Sequence, residues 1–421
     1  MHLTYQYRIK PSDAQVAILD NWMELLRRHW NYALGQRLDW LNATRCQIDR
    51  CSIVSCPIGE ITVRVDYYTQ QSELKETKQL FSDYKEIYTE VQQLNLQRLD
   101  NAWKRWLFPD KSGNRGGRPR FKKKGKLRSI SFSRVNDPKG VCFLERSNLR
   151  ANKIGIIPIV LHRPIPDGFT QKTVTIVKKA DGWYVCIVLE DASVPSPMLI
   201  DTVKSVIGVD VGLKEFLTTS EGEAVPVQHH YRRAQRHMAH QQRRLSRRKE
   251  GSNGYKKQQN KVARIHQRIA RQRKDFHYRT AHELVEKYDL IAVEDLKVKN
   301  LARNSKLAKS IYDVAWSTFI NILETVAVKR GVHVVKVPPH GTSQDCSGCG
   351  VKVPKTLSIR IHECHKCGLT MDRDENAAIN ILNRALSAVG LMVPVGGGFG
   401  DTQPVKPETL MGWKGTQLCL F

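Results

Sequence analysis

The chain is short of acid. Against 68 Lys and Arg it carries only 41 Asp and Glu, leaving a net charge of +27. An excess of that size calls for a polyanionic partner, either nucleic acid or an anionic membrane surface. Long apolar runs are also missing. No window offers about 18 consecutive apolar residues, so no spanning helix is expected and nucleic acid becomes the better partner. The segment Met1-His2-Leu3-Thr4-Tyr5-Gln6-Tyr7 lacks the basic and apolar regions of a signal peptide. The expectation is therefore an intracellular, cytoplasmic protein. Disulfide frameworks are rare there, so the ten cysteines read as thiols or metal ligands.

At 421 residues the chain has room for two to four structural units. Residues 3–9 alternate like a strand. Pro11-Ser12-Asp13 then starts a helix, with Ser12 or Asp13 as N-cap. Ile18, Trp22, Leu25, Leu26, Trp30 and Leu34 mark one buried helical face, and a second helical run is expected over 74–106. Cys46, Cys51 and Cys56 between them lack a fourth ligand of obvious spacing, which a structural zinc needs. Residues 110–126 combine glycine, proline and the packed cations Arg118, Arg120, Lys122, Lys123 and Lys124, which makes a basic loop. Short β-like stretches at 129–133, 155–161, 173–179 and 183–189 predict a small antiparallel barrel or sheet. A linker is expected at 198–203.

From Val206 the pattern alternates. Strands are expected at 206–211, 216–220, 290–293 and 333–337, and helices up to Lys287 and over 310–329, which suggests an α/β core. Two stripes, Tyr231/Ala234/Met238/Leu245 and Val262/Ile265/Ile269/Phe276, flank Lys249-Glu250-Gly251-Ser252-Asn253-Gly254 and predict an antiparallel helical hairpin. Arg243, Arg244, Arg247, Arg248, Arg264, Arg268 and Arg271 cover its outer surface. After Asn383 the chain drifts into the glycine-rich Val393–Gly400, which reads as a flexible tail.

Two features carry chemistry. Cys346/Cys349 and Cys364/Cys367 are CxxC pairs, each followed by a glycine and separated by fourteen residues. That spacing predicts a structural four-cysteine zinc ribbon, closed to water. His362 and His365 are expected at its surface. The second feature is three acids on or beside core elements: Asp210 within an apolar strand, Glu294 at a strand end with Asp295 competing, and Asp374 opening the last helix. A buried carboxylate is costly without a partner, and a divalent ion is such a partner. Three converging carboxylates suit a pair of magnesium ions for phosphodiester hydrolysis.

Taken together, Gly208-Val209-Asp210-Val211-Gly212, Val293-Glu294-Asp295-Leu296, Thr342-Ser343-Gln344-x-Cys346-x-x-Cys349-Gly350, Cys364-x-x-Cys367-Gly368 and Asp372-Arg373-Asp374-x-Asn376-Ala377-Ala378 resemble the TnpB family. This is the transposon-encoded RNA-guided nuclease family related to type V CRISPR effectors, and Gly117-Arg118-Pro119-Arg120-Phe121-Lys122 resembles its basic loop. The resemblance implies a multidomain α+β chain. Its RuvC-type, RNase H-like α/β core (201–340) would carry the hairpin insertion (228–287), a zinc-ribbon nucleic-acid-binding domain (341–370) and a returning helix (371–390). A helical recognition lobe (12–112) and an oligonucleotide-binding-like β-barrel wedge domain (1–11 and 113–200) would precede it, with a tail at 391–421.

It also implies a catalytic centre of Asp210, Glu294 and Asp374, choosing Asp374 over Asp372 and binding Mg2+. The implied partners are a noncoding guide RNA from the transposon end and double-stranded DNA beside a short adjacent motif, with a monomer favoured. Alternatives are a compact CRISPR effector, a non-cleaving RNA-guided repressor, or a strand transferase built on His229, His230 and Tyr231.

Overall fold

A computed structural model describes residues 2–43, 64–110, 113–133, 135, 141–165, 167–190, 198–356 and 359–391. Cys46, Cys51, Cys56 and the tail from 392 onward lie outside the described residues. The described residues divide into two compact units, one ending at Glu190 and one beginning at Met198. No described helix is long and apolar enough to cross a membrane.

In the first unit, β1 (His2–Ile9) leads into α1 (Asp13–Ala43). Ser12 settles the cap. Its hydroxyl accepts from the Gln15 N–H at 3.3 Å, and the Gln15 side chain accepts from the Ser12 N–H at 3.0 Å, a reciprocal capping box. The single helical run expected over 74–106 is instead broken into several elements. These are α2 (Tyr67–Ser72), α3 (Leu74–Leu80), a 3-10 turn (Ser82–Glu86) and α4 (Thr89–Leu107). Phe81 and Ile87 adopt extended backbone on either side of Ser82-Asp83, whose side chains favour turns over helix interiors.

The sheet is wholly antiparallel. Its remaining strands are β2 (Ser129–Phe132), β3 (Cys142–Glu145), β4 (Asn148–Ala151), β5 (Gly155–Val160), β6 (Thr170–Lys179) and β7 (Gly182–Glu190). Their order is β2-β6-β7-β1-β5-β4-β3, so β1 is central, and β2 and β3 are the edges. The β3–β4 hairpin was not visible in the residue pattern. Its strands are four residues each, and its turn rests on Arg146 at φ 51°, a left-handed conformation that no glycine announces. Trp22, Leu19 and Met23 of α1 share one core with Tyr7, Ile130, Phe132, Val174 and Ile187 of the sheet.

The second unit is an α/β layer. A 3-10 turn at Ile200–Thr202 is followed by β8 (Val206–Asp210), β9 (Glu215–Thr219) and β10 (Ala224–Pro226). Then come α5 (His230–Ser246), α6 (Asn253–Lys287), β11 (Leu290–Glu294), α7 (Val298–Leu301), α8 (Ser305–Val314), α9 (Trp316–Arg330) and β12 (His333–Val337). The sheet order is β10-β9-β8-β11-β12, with β8, β11 and β12 parallel and β9 antiparallel to β8. The hairpin of α5 and α6 buries Met238, Val262, Ile269 and Phe276. The one helix expected over 310–329 is two, because Ala315 turns left-handed at φ 55° between Val314 and Trp316.

Beyond β12, β13 (Ile361–Glu363) pairs with β14 (Thr370–Asp372), and α10 (Arg373–Val389) returns to the sheet. Ile381 and Ala385 of α10 pack with Leu290, Ala292 and Val337 of β11 and β12. A Cβ built on Gly208 would lie 2.0 Å from the Ala378 carbonyl and 2.8 Å from Leu382 Cβ. Only a glycine in β8 lets α10 lie this close.

Candidate nuclease centre and zinc ribbon

The parallel strands deliver two acids to one end of the sheet. Asp210 ends β8 and Glu294 ends β11, its parallel neighbour. Asp295, the competing acid, is exposed and pairs with Lys297 at 2.7 Å. The third acid comes from α10. Asp372 is the N-cap there, its carboxylate accepting from the N–H groups of Asp374 and Glu375. With the cap supplied, Asp374 is left to project from the first turn.

The charges of Glu294 and Asp374 both act on Asp210. Burial pushes its carboxyl up to about 8, and the negative charges of Glu294 and then Asp374 push the same way; Arg373 and the Val211 N–H oppose them. Burial also raises Glu294, against a hydrogen bond from Thr342 and the positive charge of Arg384. Asp374 itself is held by cations. Arg360 NH1 donates to it at 3.1 Å, and Arg373 donates through Nε at 3.2 Å and NH2 at 3.1 Å. The donor set of three carboxylates suits a hard cation with retained waters, such as magnesium.

A stripe on α10 fastens the neighbouring loop. Asn376 Nδ2 donates to the Asp345 carbonyl at 2.8 Å, and its Oδ1 accepts from the Ser347 N–H at 3.0 Å. Asn380 Nδ2 donates to the carbonyls of Thr342 at 2.9 Å and Asp345 at 2.7 Å. Arg384 donates to the carbonyls of Pro338 and His340 and to Asp345 Oδ2. Spaced four apart, these three side chains share one helix face. The loop they hold presents Thr342, whose hydroxyl donates to Glu294 Oε1 at 2.6 Å. In the sequence Thr342 and Asn376 stand only as parts of the family signature. The i, i+4, i+8 polar stripe was the residue-level signal available for their role.

The same loop enters the cysteine cluster. The ligand atoms of Cys346, Cys349, Cys364 and Cys367 all lie within 4.8 Å of one another. Cys346 and Cys367 sulfurs are 3.6 Å apart, and those of Cys349 and Cys364 are 3.5 Å apart. Tetrahedral zinc at ~2.3 Å from each thiolate spaces them by roughly 3.8 Å, so the cage fits the ion. Gly350 (φ 73°) and Gly368 (φ 72°) close two matching knuckles, donating to the Cys346 and Cys364 carbonyls. His365 is exposed as expected, but His362 is fully buried. It lies on β13 with its Nδ1 against Lys355 Nζ, so it packs the ribbon rather than facing solvent.

The basic residues fall in two places. Arg118, Arg120, Lys123 and Lys124 are exposed on the 113–126 loop, while Lys122 is half-buried. Arg243, Arg244, Arg247, Arg248, Arg264, Arg268 and Arg271 are all exposed along α5, α6 and the loop joining them.

Residues 195–305 match the family described as "Probable transposase", 316–381 the "Cas12f1-like, TNB domain", and 1–46 a "Helix-turn-helix domain". In that last stretch the described residues form one strand and one 31-residue helix. A "Putative RNA-guided DNA endonuclease" of Streptomyces pristinaespiralis is 31% identical over 393 residues, 91% of this chain and 89% of the relative. One of Escherichia coli K12, InsQ, is 30% identical over 335 residues, 75% of this chain and 78% of the relative. Among solved structures, "the mini-RNA-guided endonuclease CRISPR-Cas_phi3" overlaps 94% of both chains at 9% identity and a TM-score of 0.49.

Proposed function

The chain belongs to the TnpB family of transposon-encoded RNA-guided nucleases, and on that premise we propose that it cleaves DNA chosen by a guide RNA, using Asp210, Glu294 and Asp374. The guide is a noncoding RNA from the element's own end, and the target is double-stranded DNA beside a short adjacent motif. Base pairing reads the sequence and the protein holds the backbones, as in RNA-guided effectors generally. The nuclease centre cuts the displaced strand and then the paired one.

One observation carries the catalytic assignment. Burial first, and then the charges of two acids that lie 84 and 164 residues further along the chain, Glu294 and Asp374, raise the carboxyl of Asp210. Magnesium ions held by these residues would activate water and stabilise the leaving oxygen. The chain's own groups do the rest. Thr342 orients Glu294 through its hydroxyl. The ends of β8 and β11 and the first turn of α10 would present the acids at one end of the sheet. Cys346, Cys349, Cys364 and Cys367 hold zinc, which fixes the loop that carries Thr342. The arginines of α5 and α6 and the cations of the 113–126 loop contact phosphates, so binding weakens steeply with salt.

The test is cleavage of a plasmid by protein co-purified with RNA from its own element, in Mg2+ and in EDTA. Asp210→Ala should abolish Mg-dependent cutting without loss of RNA binding. Intact guided cleavage by that variant would overturn the assignment, and sequencing the co-purified RNA tests the guide.

A further inference from the structure

One cleft of the first unit is lined by four cations together with Leu127, Ser129 and Val177. It has a volume of about 210 Å³, and its walls include Arg98 of α4, Lys122 and Lys126 of the basic loop, Arg128, and Ser129 of β2. No acid lines it, and among the described residues none of the four cations makes an ion pair. The Arg98 guanidinium donates instead to a neutral group, the Ser129 hydroxyl, at 3.1 Å. Burial lowers the pKa of Arg98, and burial together with the Arg98 charge draws Lys122 down to about 8. Gathering like charges away from water costs free energy unless an anion offsets it.

The cleft is also built. The Lys122 N–H donates to Asn31 Oδ1 at 2.7 Å, and its carbonyl accepts from Asn31 Nδ2 at 3.1 Å and Arg27 NH1 at 2.9 Å. Trp30 Nε1 donates to the Arg120 carbonyl at 3.2 Å, and the Lys122 ammonium sits 3.6 Å above the Trp30 ring. Three residues of α1, Arg27, Trp30 and Asn31, thus fix the loop at this point, although its composition reads only as a basic loop. A loop pinned this firmly presents its lysine in one place. A solvated charge run needs no such anchoring.

We propose that this cleft is a dedicated seat for one backbone phosphate of a nucleic acid strand, held by Arg98 and Lys122 with Lys126, Arg128 and the Ser129 hydroxyl around it. Phosphate matches the donor set. A guanidinium, ammonium groups and a hydroxyl converge, and tetrahedral oxygens accept from all of them. A cationic ligand is excluded by charge. The inference rests on the nucleic-acid reading above and deepens it, since the contact is sequence-independent and sets register rather than specificity.

The experiment is fluorescence anisotropy with full-length protein, titrated with labelled single-stranded RNA and, separately, with duplex DNA over a series of KCl concentrations. Lys122→Met keeps the aliphatic stem on Trp30, and Arg98→Gln keeps a donor toward Ser129. Each should weaken binding roughly five- to tenfold and reduce the log–log salt slope by about 0.7 for the single strand or 0.9 for the duplex. The arm that responds identifies the strand. Lys172→Met is the control, its ammonium already paired with Glu190 at 2.6 Å. Lys126→Met, exposed on the same cleft, carries the test if a more buried variant does not fold. Slopes and affinities equal to the parent in both arms would overturn the seat. The readout uses no cleavage, so failure of the nuclease reading registers separately, in the plasmid assay.

Discussion

The hydroxyl of Thr342 donates a 2.6 Å hydrogen bond to Oε1 of Glu294. The two residues lie 48 positions apart. The bond joins the loop entering the four-cysteine ribbon to the acid at the end of β11, so the ribbon's geometry reaches the proposed nuclease centre through one side chain. A hydrogen bond to a charged acceptor is worth roughly 1.5–3 kcal/mol. Thr342→Val keeps the shape and removes the donor. Its turnover in guided cleavage should fall about tenfold or more, with affinity for target DNA and zinc content unchanged. Thr342→Ser should restore most of the rate. A valine variant with parental turnover would reduce the bond to packing.

The elements that position this bond were only partly legible in the residues. Helix α6 ends at Lys287, and β12 runs from His333 to Val337, as periodicity predicts, because their apolar spacing is unbroken. The cysteine cage follows from spacing alone, since two tight pairs are what a tetrahedral ion bridges. The break at Ala315 was not legible. An alanine at φ 55° is a tertiary decision, made by the packing of Trp316 and Val314 into the core. Nor was the burial of His362, which depends on the ribbon folding over β13. Contacts such as Asn380 to Thr342, 38 residues apart, leave no periodic trace.

Metal-free stability should depend on pH in a stated direction. Asp210 ordinarily ionises near 3.8 and is raised to about 8 in the fold. Between those values the folded protein retains a proton that the unfolded chain has released. Stability in EDTA therefore falls as pH rises through the window and is fully present below its lower edge. Asp210→Asn removes the penalty. At about pH 8 its melting temperature should exceed the parent's by several degrees, the gap closing toward about pH 4, while cleavage is lost. Divalent binding must displace the same proton, so Mg2+ affinity should rise across this range in calorimetry. A variant no more stable than the parent at high pH would show that Asp210 is not strained.

Zinc removal should act at two distances. Cys364→Ser should lower bound zinc from about one ion per chain toward none, read by mass spectrometry, because three ligands hold it poorly. Asn376, Asn380 and Arg384 fasten the loop on the other side. The helix α10 should therefore stay docked, while Thr342, still held by Asn380 through its carbonyl but no longer backed by the ribbon, should orient Glu294 less firmly. Cleavage should fall further than the change in melting temperature accounts for. Unchanged zinc content would refute the four-cysteine cage.

Gly208 offers the sharpest structural test. The Cβ of an alanine there would sit 2.0 Å from the Ala378 carbonyl oxygen and 3.0 Å from its carbon. Both are backbone atoms of α10, so no side chain can swing away. The helix must lift from β8 or the strand must bend. Overpacking a core usually costs about 1–3 kcal/mol, and a backbone collision belongs at or above the top of that range. The same displacement moves Asp374, which opens α10, relative to Asp210, two residues beyond the glycine. Gly208→Ala should thus lower the melting temperature by several degrees and abolish cleavage together, with the zinc site intact. A variant that keeps parental cleavage would mean that α10 need not lie against β8 for the acids to work, and the close approach would have to be explained by packing alone.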